Sequence, residues 1–331
     1  MSLQTQYLGM TLANPIVPSA SPLSRDLATC CQLEDAGASA LVMYSLFEEE
    51  LHSHHAKQLQ LMESREIGHS EASHFLPIQT QPSFALEQYL NQIQALKQRL
   101  AIPIIASLNG TTSDGWISIG QQLVEAGADA LELNIYLVAA DPRQSASEIE
   151  AGYLSLIKEL RQKVQCPIVV KLSPFFSALG HFVKQLEATG VQGVSLFNRF
   201  YQPDIDPDSL RVQSCIHLSR SEDALLTMRW LGILFGKTQL TLAATGGIHT
   251  TDDAVKMLLA GADVTHLCSA LLLQGPSLLT QLLAGIEQWL EESPYESLEQ
   301  AKGVLSHLHT NEPMLYERAS YVELLKTGRY A

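Results

Sequence analysis

A chain of 331 residues that is 46% hydrophobic and carries a formal net charge of −14 has room for one large, well-filled domain, and its acidity argues against a nucleic-acid or anionic-membrane partner. No basic run or long apolar span changes that, so small molecules are the expected partners. Five scattered cysteines fit reduced thiols, and Met1 to Gly9 has neither the basic stretch nor the apolar core of a signal peptide, so a cytoplasmic protein is expected.

Asn14-Pro-Ile-Val-Pro-Ser-Ala20 reads as a first strand. Leu33 to Leu41 then reads as a helix end, a glycine cap at Gly37 and a second strand, a pattern that returns at Leu123 to Leu131, Leu186 to Val194 and Leu258 to Val264. Between these repeats lie Ile102 to Ser107, Cys166 to Leu172 and Leu240 to Ala244, each an apolar run bounded by Pro or Gly. Together they make eight strands with helical spacers. Their continuous hydrophobicity is what strands buried on both faces of a parallel sheet require, and helical segments such as Ala85 to Leu100 and Glu222 to Leu234 would cover the outside. The expected fold is α/β: a single-domain (β/α)8 TIM barrel over residues 1–331, with an N-terminal extension and long loops after the second and fourth strands.

The first of these loops, Phe47 to Ser83, is expected to form a lid-like insertion. It holds Glu48, Glu49 and Glu50 and then His52, His54, His55, His69 and His74, but no recognisable zinc spacing with Cys or Asp, so it reads as a polar arm and no metal is expected. The second runs from Ile135 to Ser147. Both start at the C-terminal mouth of the barrel, where ligands bind.

Leu242-Ala-Ala-Thr-Gly-Gly-Ile-His249 and Val264-Thr-His-Leu-Cys-Ser-Ala270 are the seventh and eighth strand ends, the place where such barrels grip phosphate. Gly246 and Gly247 would let backbone N–H groups approach the anion, the short helix that follows would add its dipole, and Ser269 would donate a further hydrogen bond. Lys171 ends a fully apolar strand and would project into a dry mouth, where a buried cation needs an anionic partner; the alternative is a strand-end lysine reaching solvent. Asn134 and Asn198 end two more strands, each able to donate and accept at once, or to act only as turn residues.

Nearly the whole chain resembles the class 1 dihydroorotate dehydrogenases. The likeness rests on Tyr7-Leu-Gly-Met-Thr-Leu-Ala-Asn-Pro-Ile-Val-Pro-Ser-Ala-Ser21, Leu131-Glu-Leu-Asn134, Val170-Lys-Leu172, Leu196-Phe-Asn198 and Thr245-Gly-Gly-Ile248, in family order and spacing. The resemblance implies an FMN-dependent oxidoreductase of pyrimidine biosynthesis. The flavin would lie against Ala20, Ser21 and Ser45, with Lys171 near its pyrimidine edge and Asn134 and Asn198 touching flavin or substrate. Gly246, Gly247, Cys268 and Ser269 would surround its phosphate, and Arg199 would join the substrate contacts. Class 1 members are typically dimeric, some with an iron–sulfur partner subunit, so a homodimer stays open.

The chain departs from the family where the reaction occurs. Leu137 stands at the position of the family's proton-removing Cys and Ala139 at that of a substrate-binding Asn; Tyr44 replaces the second-strand lysine and Arg199 a hydroxyl residue. Leu76 to Gln79 is the nearest remnant of an Asn-rich substrate loop, Arg211 to Ser219 replaces a Gly-Gly that touches the flavin, and Cys268-Ser269 replaces Gly-Thr. No catalytic base is assigned: Tyr136 and Tyr44 are weak candidates, and Cys215 and Ser145 are loop residues that would have to reach in. A catalytically silent barrel binding FMN or a phosphate ligand, or a barrel holding a phosphorylated metabolite without flavin, remain the alternatives.

Overall fold

The computed structural model describes residues 2–48, 84–109, 113–135, 137–199, 202–214, 216–318 and 325–326. From residue 49 onward the expected lid and its histidines lie outside the described residues, as do Tyr136 and Cys215.

The chain opens with an antiparallel hairpin of β1 (Thr5–Tyr7) and β2 (Met10–Leu12), turned by Leu8 at φ 53° and Gly9 at φ 79°, the paired positive values that a two-residue turn requires. There follow β3 (Ile16–Pro18), α1 (Leu27–Asp35), β4 (Leu41–Phe47), α2 (Phe84–Arg99), β5 (Ile104–Asn109), α3 (Ser113–Glu125) and β6 (Ala130–Asn134). Next come α4 (Ala146–Lys163), β7 (Ile168–Leu172), α5 (Leu179–Glu187), β8 (Gly193–Leu196) and a second hairpin of β9 (Pro203–Asp206) and β10 (Arg211–Ser214). The chain continues through α6 (Ala224–Leu234), β11 (Thr241–Thr245), α7 (Thr251–Ala260), β12 (Val264–Leu267), the short α8 (Ser269–Gln274), α9 (Ser277–Glu292), α10 (Leu298–Ala301) and α11 (Met314–Glu317).

Eight parallel strands pair in the order β3-β12-β11-β8-β7-β6-β5-β4. The two ends of that series meet where the Ser39 N–H donates to the Ile16 carbonyl at 3.1 Å, so the sheet is a nearly closed (β/α)8 barrel, as the repeats indicated. The helices cover it for the reason visible in α2: Leu86, Tyr89, Ile93 and Leu96 recur at three- and four-residue spacing and are the buried face. Each such side chain stabilises the fold by about 1.5–3 kcal/mol, and Ile93→Ala would forfeit that burial and leave a cavity.

The barrel interior divides into two halves along its axis. At the N-terminal end Tyr7, Leu8 and Leu12 of the first hairpin pack on Val17, Val42, Ile105 and Val169, closing the barrel floor with apolar groups. Toward the C-terminal end the buried residues become polar: Ser107, Glu132, Asn134, Lys171, Ser195 and His266. The buried charged side chains Glu132 and Lys171 therefore lie toward the mouth.

Two loops matter for that mouth. Between Val42 and Ser45 the β4–β5 register shifts, because Met43 and Tyr44 oppose the single residue Ala106. Such a bulge re-aims side chains, and it lets the neighbours Tyr44 and Ser45 line the same cavity despite the alternation of a regular strand. The loop after β6 is exposed from Leu137 to Ala140. It ends at Ser145, which caps α4 in a capping box, its Oγ accepting from the Glu148 N–H at 3.3 Å while its own N–H donates to the Glu148 carboxylate at 2.8 Å.

Candidate active site

Two adjoining cavities open at the C-terminal ends of the strands. One, of about 250 Å³, runs from Lys171 and Asn198 to Gly246, Gly247, Cys268 and Ser269. The other, of about 330 Å³, is bounded by Arg25, Tyr44, Ser45, Asn109 and Asn134. They share Ala20, Ser21, Pro22, Lys171, Asn198 and Arg199. All the residues expected around a cofactor are thus brought to one continuous mouth.

At the β11 end the chain turns through Gly246 at φ 89° and Gly247 at φ 75°. A Cβ on Gly246 would meet open space, whereas one on Gly247 would strike the backbone of Ala224, so only glycine fits the second position. Here the structure adds a residue that sequence reasoning missed. Ser219 accepts the Gly247 N–H through its Oγ at 3.2 Å, donates its own N–H to Ser269 Oγ at 3.0 Å, and lies 3.2 Å from His249 Nε2. The segment Arg211 to Ser219 was legible only as a departure from the family; the hydroxyl at its end was the available signal. The turn leading into α7 is pinned by the helix's own Asp253. The Asp253 carboxylate accepts from the backbone N–H groups of His249 and Thr250, both at 3.0 Å, and from Ser221 Oγ at 2.7 Å. Burial pushes that carboxyl upward, but these hydrogen bonds outweigh it and hold it below the usual range.

Lys171 is 7% exposed and does find an anion, one supplied by the protein: its Nζ lies 3.6 Å from Glu132 Oε1. Glu132 is fully buried on the neighbouring strand, two residues before Asn134 and hence on the same face. In the run Leu131-Glu-Leu-Asn134 nothing local marks this glutamate as a site residue. The same Oε1 accepts from Ser107 Oγ at 3.2 Å, and Ser107 Oγ is 2.9 Å from Ser45 Oγ. His266, from β12, places Nδ1 at 3.9 Å from Glu132 Oε2. Burial, with the Lys171 charge adding to it, lowers the His266 imidazole to about 3. At neutral pH this contact is therefore not an ion pair, and 3.9 Å is too long for a hydrogen bond. Burial also pushes the Cys268 thiol up, against the pull of Lys171, which makes it a poor nucleophile.

Asn198 Nδ2 donates to Asn134 Oδ1 at 2.7 Å, so the two carboxamides are fixed against each other across β8 and β6. This leaves Asn134 Nδ2 to donate and Asn198 Oδ1 to accept toward the cavity, a pair suited to a ligand with both kinds of group. Arg199 Nη1 bonds Asp223 Oδ2 at 2.8 Å. Burial raises the Asp223 carboxyl, but Arg199 and the Arg220 backbone N–H outweigh this and keep it below the ordinary value. At the other wall the Arg25 guanidinium sits 4.2 Å from the Tyr44 ring centroid. Tyr44 thus replaces a family cation and at the same time seats another one.

The base position differs sharply. Leu137 is 48% exposed and, with Ala139, faces a separate small cavity of about 80 Å³ beside Tyr153, Phe175 and Phe176. Neither residue lines the mouth. Ser145, a loop candidate, is committed to its helix cap and lines neither cavity. Of the candidates within the described residues, Tyr44 alone stands at the mouth. Among those residues no group of three His, Cys, Asp or Glu could hold a metal ion, and no helix is long and apolar enough to cross a membrane.

The family profile described as dihydroorotate dehydrogenase matches residues 81–290, more than half of the chain. The chain belongs to the dihydroorotate dehydrogenase family. Among its relatives, the dihydroorotate dehydrogenase B (NAD(+)) catalytic subunit of Thermoplasma acidophilum is 23% identical over 310 residues, 91% of this chain and 98% of that protein. The protein of the same name from Methanosarcina acetivorans is 24% identical over 310 residues, covering 90% and 94%. A dihydroorotate dehydrogenase A (fumarate) of Lactobacillus delbrueckii subsp. bulgaricus is 29% identical over 178 residues, 52% of this chain and 58% of its own. The dihydroorotate dehydrogenase likeness to the first two therefore runs from end to end.

Proposed function

We propose that the chain is a single-domain FMN-dependent oxidoreductase of the cytoplasm, acting on a small anionic substrate of the dihydroorotate kind, with residues 47–83 as its lid. The observation that carries this reading is the continuous mouth in which a glycine turn with its serines lies at one end, a buried Lys171 in the middle and an amide pair with two arginines at the other.

The donor set fits FMN. Gly246 leaves open space for an anion beside its backbone, Gly247 makes the tight turn against Ala224, and the Ser219 and Ser269 hydroxyls add donors, a set that suits a phosphate. FMN, when bound, supplies a ring that accepts a hydride. Lys171 would offer a fixed positive charge in a site screened from water, favouring negative charge on its neighbour. Asn134 and Asn198 would orient the substrate by donating and accepting at once. Arg25, seated on the Tyr44 ring at the edge of the cavity, would meet an anionic group.

Leu137 cannot take a proton. General base catalysis contributes roughly 100-fold to 10,000-fold, so its loss slows turnover without abolishing it. Tyr44 is the candidate to hold the proton in its place. The exposed turn of Leu137 toward another cavity also favours a second reading, a flavin-binding barrel that performs no dihydroorotate chemistry.

Anaerobic addition of dihydroorotate to the flavin-loaded protein separates these readings. Bleaching of the visible bands supports the dehydrogenase, and Tyr44→Phe should then slow it. Bands that persist through prolonged incubation favour the silent barrel or a different substrate.

A further inference from the structure

Beneath the mouth, the barrel interior gathers three titratable side chains from three strands: Glu132 on β6, Lys171 on β7 and His266 on β12. A bare carboxylate buried as completely as Glu132 is costly, so its surroundings decide what it does. Among the described residues Lys171 is the cation within ion-pair reach of it. His266 carries no charge at neutral pH, and Ser107 supplies one neutral hydrogen bond.

Two details say that Glu132 is more than packing. The Lys171–Glu132 separation of 3.6 Å is well beyond the 2.7–2.9 Å typical of a charge-assisted hydrogen bond, so the ammonium is attracted to the carboxylate without being locked onto it. Lys171 also lines both mouth cavities, whereas Glu132 lines neither. The cation therefore stands between a buried anion below and a ligand above. The second carboxylate oxygen, Oε2, has no hydrogen-bond partner among the described residues, nor has either nitrogen of His266 or the hydroxyl of Ser195. Glu132 consequently keeps an incompletely neutralised negative charge under the ligand.

We propose that Glu132 is a positioning residue that holds Lys171 at the base of the mouth and partly cancels its charge, so that the bound ligand meets a compensated cation. The inference rests on the flavin reading for its functional consequence. Lys171 alone would strongly favour a reduced, negatively charged ring; Glu132 opposes that preference and sets how readily the bound flavin accepts a hydride. A purely structural Glu132 would leave the potential alone, because glutamine is nearly isosteric and can still accept from Ser107.

The test is the midpoint potential of the FMN-loaded protein, by anaerobic reductive titration of wild type, Glu132→Gln, Glu132→Asp, Lys171→Met and the Gln/Met double variant. Removing one charge at this range in a partly dry site should shift the oxidised-to-reduced equilibrium of Glu132→Gln roughly tenfold or more toward the reduced form. Glu132→Asp keeps the charge and should stay near wild type, and it remains informative if the glutamine variant folds poorly. Lys171→Met should shift the opposite way. In the Lys171→Met background the effect of Glu132→Gln should shrink to less than half, since a buried carboxylate stripped of its cation takes up a proton and leaves no charge for the glutamine to remove.

An unchanged potential in Glu132→Gln, or an undiminished effect without Lys171, overturns the proposal. Failure of every form to take up FMN is a failure of the flavin reading instead. Unfolding of the ligand-free proteins then tests the pair itself: Lys171→Met should lose stability that the added Glu132→Gln partly restores, and simple addition of two losses overturns the pairing.

Discussion

The two sides of the mouth have been treated differently by this sequence. On the β11–β12 side the mouth is shaped by backbone, with Gly246 and Gly247 at positive φ and Ser219 tying the Gly247 N–H to Ser269. On the β6 side the work would have to be done by a side chain, and Leu137 has neither the chemistry nor the direction, facing a separate cavity beside Tyr153. Holding a ligand and transforming it are separable properties of one barrel. The first leans on a few backbone positions such as Gly247, while the second needs a particular side chain and would be slowed by the loss of one.

Lys171 joins the two sides, and its removal should have the largest effect. Lys171→Ala leaves Glu132 buried without a cation, which costs about 3–5 kcal/mol, and should weaken FMN retention and lower the potential of what remains bound. Denaturant unfolding and the flavin content of the purified variant check both parts; normal values for both would remove Lys171 from the site. Gly247→Ala comes next. Holding a Cβ in the left-handed region costs about 1–3 kcal/mol, and the clash with the Ala224 backbone adds to it. Since the change lies at the phosphate end, affinity for FMN should fall more than affinity for riboflavin, which lacks the phosphate. Equal losses would sever the glycine turn from phosphate binding.

A smaller effect concerns acid. Unfolded His266 takes up a proton as the pH falls below about 6.5, while in the fold it stays neutral down to about 3. Between those values the unfolded chain binds more protons, so stability is lost as the pH drops. His266→Gln should flatten that limb of the stability profile. An unaltered acid limb would place the titration elsewhere. The smallest effect is expected of Leu137→Cys. With the residue turned to a separate cavity, a thiol there should restore no dihydroorotate oxidation, and a clear gain would show that the loop swings into the mouth when ligand binds.

Much of the fold could be read in advance because glycine caps and unbroken apolar runs report local backbone and two-sided burial directly. Gly37, Gly127, Gly190 and Gly261 all carry the positive φ expected at helix ends, each ahead of a barrel strand. Lys171, Asn134 and Asn198 could be placed for the same reason, since they lie at or just past the C-terminal ends of their strands, which open on the mouth. What escaped were interactions made across the barrel. Nothing local marks Glu132 as the anion beside Lys171, because the contact depends on strand register and alternation together. Ser219 lies on a loop whose path is set by Ser269, fifty residues away. The Arg25–Tyr44 stack needs a bulge in β4 that no turn residue announces.

The most direct test of the central claim is the visible absorbance spectrum of the purified protein after incubation with FMN and removal of free ligand on a desalting column. Retained flavin bands near one per chain, lost in Gly247→Ala, are the expected result. A colourless wild-type protein would contradict the flavin site and leave a barrel that holds some other phosphorylated molecule.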